Sequence, residues 1–312
     1  MLAGVVCLGW NALGMTALLE DAPTGSAVLL YLAGTGLQVL AISSVSSAAI
    51  TPHWGALPLA LATVPVLYAL RGLGLPGLLG SLLCPLPGMW LLLSCRCTAG
   101  AAVLLAAFLF LLLALAAADW FELGSGFTLV TVLTTPAAIL SLGLLFGGWD
   151  DVLARGLVLR FRPGLDPWGK GYADFLSRQI LEKAAAVGSG SALPPSLSGF
   201  VPFHATKDPY LLSRTLFTRG WLAGFLIVLL ALGLCAAAFA LCRRRRGISL
   251  FLALGMTAAL AAQTLLFLAQ NLGFHLAYTA SLPFLSGGTV NTALSLITAA
   301  FLLTEDKRAD PN

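Results

Sequence analysis

Long apolar runs, all but one pair of neighbours separated by only a few polar or turn residues, make up most of this chain. The runs cover residues 2–19, 27–50, 53–70, 74–95, 99–118, 126–147, 214–242, 248–273 and 288–304. A helix of about 20 apolar residues, rising about 1.5 Å per residue, crosses the roughly 30 Å hydrocarbon layer of a bilayer. Each run therefore predicts a membrane-spanning helix. The separators are short and carry charge or turn residues: Glu20-Asp21-Ala22-Pro23, Arg71-Gly72, Cys95-Arg96, and Asp119 to Glu122. The third and fourth runs hold Pro58, Pro65, Pro76, Pro85 and Pro87. Proline kinks a helix, and neighbouring helices in a bundle can re-satisfy the freed backbone groups. The pattern predicts an all-α, polytopic membrane bundle of about nine or ten transmembrane helices. Residues 1–312 then form a single integral membrane domain.

Composition agrees with the pattern. Hydrophobic residues are 59% of the chain, charged residues 10%, and mean hydropathy is +0.94. Soluble domains carry about 25% charged residues. The net charge of +4 is not spread over a soluble basic face, so no nucleic-acid partner is expected. Residues 2–19 lack a basic leader and a small-residue cleavage site, and read as a membrane helix rather than a signal peptide. The cysteines mostly lie inside apolar runs, where Cys behaves as a small hydrophobe. Cys95-x-Cys97 has no second Cys or His pair nearby, so no metal site is expected from it.

Charge sets the orientation. Arg243, Arg244, Arg245 and Arg246 form a short loop, and Lys307 and Arg308 follow the last run. Two runs separate these clusters, so they share a side, and short basic loops favour the cytoplasm. The C-terminus is then cytoplasmic, Arg71 falls on the same side, and residues 148–213 face outward. The Arg run reads first as a topology anchor, with anionic-lipid or partner docking as the alternative. Trp10, Trp54, Trp90, Trp120, Trp149 and Trp221 fall near run ends, as interfacial anchors do.

The outward segment 148–213 is the long polar interruption. It is far longer than the roughly 12–15 residues usual for a structureless loop, which makes a functional role the default. It contains RFRPGLDPWGKGY, Arg160 to Tyr172, followed by SRQILEKAAAVGSG. The QILEKAAAV portion predicts a short amphipathic helix at the interface. Next comes VPFHATKDPYLLSRTLFTRGWLAG, residues 201–224. Near the end, QTLLFLAQNLGFH is followed by SLPFLSGG and a last apolar run, a turn carrying Ser281, Ser286 and Thr289.

These motifs resemble those of the FtsW/RodA/SpoVE family, the SEDS proteins. The family patterns read roughly R…F.NP..DP.G.GYQ…QS..AIGSGG, then LPE.HTDFIF…E.G..G, then Q…N.G…LPFISYGGSS. Phe161, Pro163, Asp166, Pro167, Gly169, Gly171, Tyr172, Ser177, Gly188 and Gly190 fall in place. The resemblance covers about residues 74–312 and is specific in the second half. There are departures. RCTAGAAVLL occupies the place of PDLGTA without its Asp. Phe203 or His204 stands for the Glu of LPE, and Phe217 and Thr218 stand for the Glu pair. The Tyr of SYGGSS is lost, and the early RWI…QPSE segment is not found. The family pattern of ten spans with both ends inside implies a missing first helix here.

The resemblance implies a SEDS-type bundle that polymerises lipid II into glycan strands in the bacterial cytoplasmic membrane. It implies a class B penicillin-binding transpeptidase as partner, alongside membrane lipids and the undecaprenyl pyrophosphate-linked glycan. The family's catalytic Asp falls to Asp208. Glycosyl transfer from a pyrophosphate-linked donor needs a base for the attacking hydroxyl and cations for the leaving group. Asp208 with Lys207 beside it, and Arg160, Arg162 and Arg214 in the same outer layer, offers both; Ser286 is a further substrate-binding candidate. Nearby cations keep an Asp ionised, which suits a base. A divalent cation could bridge Asp208 and the phosphates, though no ligand cluster demands one. His204 and His275 read as solvated or interfacial residues. Gln263, Gln270 and Asn271 read as helix–helix hydrogen-bonding groups, with cavity lining as the alternative. No Walker motif, Rossmann fingerprint or H-E-x-x-H is present.

Two other functions remain open at this point. The lost PDLG and Glu positions fit a non-catalytic scaffold of the division or sporulation machinery. A lipid-linked sugar transporter would place ionisable residues at the membrane midplane, whereas the charges here collect in the outer segment.

Overall fold

The computed structural model describes residues 56–86, 88–89, 92, 98–146, 162–166, 172–190, 210–273, 282–284 and 288–303. Every regular element among them is helical. In chain order these are α1 (Ala56–Ala69), α2 (Gly74–Leu83), α3 (Thr98–Ala117), α4 (Ser125–Phe146), a 3-10 turn (Pro163–Leu165), α5 (Tyr172–Lys183), α6 (Leu211–Arg219), α7 (Trp221–Cys242), α8 (Gly247–Asn271) and α9 (Gly288–Leu303). The chain is an all-α membrane protein. The expected runs at 2–19 and 27–50 lie outside the described residues.

Helix lengths follow the apolar runs. α7 has 22 residues and α8 has 25, and both are long and apolar enough to cross a membrane. At about 1.5 Å per residue each reaches past the roughly 30 Å hydrocarbon thickness. α3 and α4 add apolar segments of 20 and 22 residues. The two longest helices differ in their surroundings. α8 is mostly buried, whereas Leu222, Phe225, Leu226, Leu229 and Leu230 of α7 are exposed. An apolar helix with an exposed apolar face is at home against lipid, where no hydrophobic penalty attaches to it.

Two runs are divided differently from expectation. The run 214–242 is not one helix: α6 ends at Arg219, and α7 begins at Trp221 after Gly220. The run 74–95 opens with only ten helical residues, since α2 stops at Leu83 and Cys84 closes its last turn onto Ser81 O. Pro85 and Pro87 follow at once, and proline cannot donate the backbone bond that a continuing helix needs.

The chain divides into two compact units. The first comprises residues 1–137, 235–262 and 293–312, and the second comprises 138–234 and 263–292. In the first unit, α1 packs on α3, and the core includes Leu67, Leu112, Phe121, Phe251, Leu252 and Met256. Trp120 packs at a tilt on Phe251 with ring centroids 4.2 Å apart, and Tyr68 meets Phe251 edge-on at 5.3 Å. The α3–α4 turn is tied internally by Asp119, whose Oδ1 accepts from the Gly124 N–H at 2.8 Å.

Arg245 stands apart from its neighbours in the basic loop. It is 6% exposed, whereas Arg243, Arg244 and Arg246 are exposed. Its Nη1 donates to Ser249 Oγ at 3.0 Å, and its Nη2 donates to the carbonyl of Phe301. The guanidinium also lies 4.3 Å from the Phe301 ring centroid. Phe301 is in the last turn of α9, whose carbonyls have no intrahelical donor. A cation there completes the hydrogen bonding and meets the negative end of the helix dipole.

Candidate functional site

The second unit holds the described part of the segment 148–213, which leads into two short helices. α5 is amphipathic: Leu176 and Ile180 are buried, while Glu182 and Lys183 are exposed. The pair at i, i+4 forms one apolar stripe, and it packs with Phe175 against Phe217 of α6. The helix expected over QILEKAAAV therefore starts earlier, at Tyr172, and ends at Lys183. α6 repeats the pattern. Leu212, Ser213 and Leu216 are buried, and Arg214, Thr218 and Arg219 are exposed.

Residues 185–190 bind the break between α6 and α7. Trp221 N donates to Ala185 O at 2.9 Å and Leu222 N to Ala186 O at 3.1 Å. From the other side Gly188 N donates to Arg219 O at 3.2 Å and Gly190 N to Phe217 O at 2.7 Å. The break thus gives up helical bonds and replaces them with this clamp. Two glycines make it possible. Gly220 has φ +88° and ψ 175°, a region essentially restricted to glycine. A Cβ on Gly220 would stand 2.8 Å from both Ala186 O and Val187 Cα. A Cβ on Gly190 would stand 2.6 Å from Lys183 O and 3.1 Å from the Phe217 ring.

The N-terminus of α6 is capped from a distance. Tyr210 precedes the helix and makes no side-chain cap. Instead Ser213 N, one of the donors left over at a helix start, bonds Asn271 Oδ1 of α8 at 3.0 Å. Ser213 Oγ also donates to the Asn271 carbonyl at 3.0 Å, and Asn271 Nδ2 donates to Phe267 O at 3.0 Å. Ser213 and Asn271 are both essentially fully buried, so these bonds offset the cost of removing their polar groups from solvent. Next to Asn271, the Arg178 side chain of α5 donates to Gly273 O at 3.3 and 3.4 Å. The start of α6, the end of α8 and the middle of α5 are therefore joined by polar bonds. Asn271 takes the helix–helix bonding role its composition suggested.

Arg162 is exposed and precedes the 3-10 turn Pro163–Leu165, which packs on α5. Arg214 is exposed on α6, which also packs on α5. Asp208, Lys207, Arg160 and Ser286 lie outside the described residues. Asp208 precedes Tyr210, the residue that opens α6, by two positions. Burial pushes the Tyr210 phenol up to about 12, so it remains a neutral hydroxyl at any physiological pH. Among the described residues no group of three His, Cys, Asp or Glu side chains is arranged to hold a metal.

Ser213 and Arg178 carry no mark in the sequence. Each makes its bond to a residue far along the chain, and no local spacing signals such a partner. Gly220 is legible only as a matched letter in the family pattern, without its part in the clamp.

No protein-family model matches the chain, and no curated protein does. Among solved structures, the chain is similar to one from a peptidoglycan synthase complex that coordinates polymerization and crosslinking. The two share 20% identity with a TM-score of 0.64, over 99% of this chain and 90% of that one. The likeness is one of fold, and it extends over almost the whole molecule.

Proposed function

We propose that the chain is a SEDS-type glycosyltransferase of bacterial cell-wall synthesis, polymerising lipid II at the outer face of the cytoplasmic membrane. The observation that carries this reading is a coincidence of two findings. The fold is shared end to end with a chain of a peptidoglycan synthase complex. The motif glycines Gly188, Gly190 and Gly220 are also the residues that build the clamp behind α6.

In this reading the clamp and the Asn271 cap fix the start of α6, and so the point from which the Asp208 segment departs. Asp208 takes the proton from the acceptor sugar hydroxyl as that oxygen attacks the anomeric carbon of the donor. The carbon–oxygen bond to the pyrophosphate breaks, and undecaprenyl pyrophosphate leaves with the bonding electrons. Arg160, Arg162, Lys207 and Arg214 stabilise the charge on the leaving group, and Ser286 contributes a hydroxyl to substrate binding. Fixed cations aimed at developing charge account for a large share of such catalysis, and a positioned base adds about 100- to 10,000-fold. A divalent cation, when bound, would supply further charge at the phosphates. The segment 148–213 is extracytoplasmic, the C-terminus is cytoplasmic, and a class B penicillin-binding transpeptidase is the partner.

The substitutions at the PDLG and Glu positions support a second reading, in which the same fold serves as a non-catalytic scaffold. Incubation of the purified protein with labelled lipid II, alone and with a candidate transpeptidase, separates the two. Glycan strands are expected; no polymer under any pairing supports the scaffold.

A further inference from the structure

The four arginines between α7 and α8 are identical letters with unlike surroundings. Arg245 is buried and is engaged by Ser249 and Phe301. Arg243, Arg244 and Arg246 are exposed around it. The loop backbone is held by Arg244 N to Leu241 O at 3.2 Å and Arg245 N to Cys242 O at 3.1 Å. Arg245 thus acts as a bolt from the loop into the last turn of α9, and the other three are presented on a fixed turn. The turn joins the ends of two membrane-length helices, which places it at the level of lipid headgroups.

Among the described residues, the other charges at this end of the unit are few. Arg71 lies 3.9 Å over the Tyr68 ring, and a Cβ on Gly247 would lie 3.9 Å from the Tyr68 hydroxyl. Tyr68 and Phe251 pack with Trp120, which brings in the α3–α4 turn with Asp119 and Glu122. Asp119 accepts the Gly124 N–H. Five arginines, Arg71 and Arg243 to Arg246, therefore stand against two carboxylates, and the excess positive charge is concentrated on the exposed turn.

We infer that Arg243, Arg244 and Arg246 form a docking surface for the phosphate groups of anionic phospholipids, on a turn that Arg245 holds in place. The lipid surface is chosen over a soluble anion because the turn is continuous with two apolar helices that end in the bilayer interface. A basic side chain near an anionic leaflet gains about five-fold in affinity, so three gain roughly a hundred-fold at low salt. The gain falls with ionic strength, because surface charges are screened within about 8 Å at physiological salt.

The test uses the full-length protein purified in a neutral detergent. Binding of phosphatidylglycerol and phosphatidylcholine is measured by native mass spectrometry, and thermal unfolding is followed in parallel. The parent is expected to prefer phosphatidylglycerol, and to lose that preference as salt is raised. The triple variant Arg243→Gln, Arg244→Gln, Arg246→Gln should lose most of the preference and unfold at the parental temperature without lipid. The charge-retaining triple Arg→Lys variant should keep it. Arg245→Gln should unfold at a lower temperature in either lipid, while its folded fraction still prefers phosphatidylglycerol. A Gln triple variant that retains the parental preference overturns the proposal. So does an Arg245→Gln protein that stays as stable as the parent, or a parent that binds both lipids equally.

Discussion

Replacing Gly220 by Ala adds one methyl group at the break between α6 and α7. Its cost follows from the surroundings. The new Cβ would stand 2.8 Å from Ala186 O and Val187 Cα and 2.9 Å from Ala185 O. All three are backbone atoms, so no side chain can turn aside. At φ +88° and ψ 175° a non-glycine residue also carries about 1–3 kcal/mol of strain. Moving segment 185–187 away to relieve the contact breaks the bonds from Trp221 N and Leu222 N, at about 1 kcal/mol net each. Backbone strain and the two lost bonds together cost about 3–5 kcal/mol. Gly233, farther along α7, is the matched control. A Cβ there meets nothing within 4 Å, and Gly→Ala in a helix interior gains up to about 1 kcal/mol. Thermal unfolding of the two detergent-purified variants should therefore move in opposite directions. Protease cutting between residues 184 and 210 should rise only for Gly220→Ala. The reasoning is refuted if Gly220→Ala melts with the parent, or if both variants fall by the same amount.

Asn271→Ala should destabilise by about 1–3 kcal/mol, because it leaves the buried Ser213 N–H without its acceptor. Ser213→Ala should cost less, since the bond from its N–H to Asn271 Oδ1 survives; chemical unfolding of both singles and the double variant checks the coupling. Burial disfavours the phenolate and pushes the Tyr210 phenol up from the ordinary 10.0 to about 12. A folded value above the unfolded one means its stabilisation is complete below about pH 10 and is lost as pH rises through 12. Unfolding midpoints of parent and Tyr210→Phe should therefore diverge only at strongly alkaline pH. For topology, Ser198→Cys should react with an impermeant thiol reagent in intact cells and Gly247→Cys should not; the reverse pattern would invert the orientation.

The all-α membrane architecture is readable because run length alone distinguishes a bilayer-crossing helix, and α3, α4, α8 and α9 begin and end within two residues of the apolar runs. The break at Gly220 is not readable. FTRGWLAG leads into an apolar run, and a glycine there is as compatible with a continuous helix as with a kink. Only the clamp from residues 185–190, some thirty residues earlier in the chain, decides it. α5 starts at Tyr172, where the Gly- and Pro-rich motif RFRPGLDPWGKGY ends, and not at Gln179 where the expected helix began. The stripe of Leu176 and Ile180 shows the helical spacing once both are seen to be buried. Four consecutive arginines offer no local signal for which one is buried; the Phe301 carbonyl, 56 residues away, makes the choice. Of the candidate site, Arg162 and Arg214 lie exposed on elements that both pack on α5. Asp208 and Ser286 are assigned by motif, and Lys207 and Arg160 by their charge in the same stretch of sequence as Asp208.

The central claim is that the chain polymerises lipid II with Asp208 as the base, and Asp208→Asn tests it most directly. The change keeps the size of the side chain and removes its charge and basicity. On this account the Asp208 carboxylate serves the reaction rather than folding, so membrane abundance should match the parent. Asp174→Asn serves as the control within the same segment 148–213. With purified protein, labelled lipid II and the activating partner, the account predicts that Asp208→Asn slows polymerisation by about 100- to 10,000-fold while Asp174→Asn stays close to the parental rate. Polymerisation by Asp208→Asn at the parental rate would contradict it.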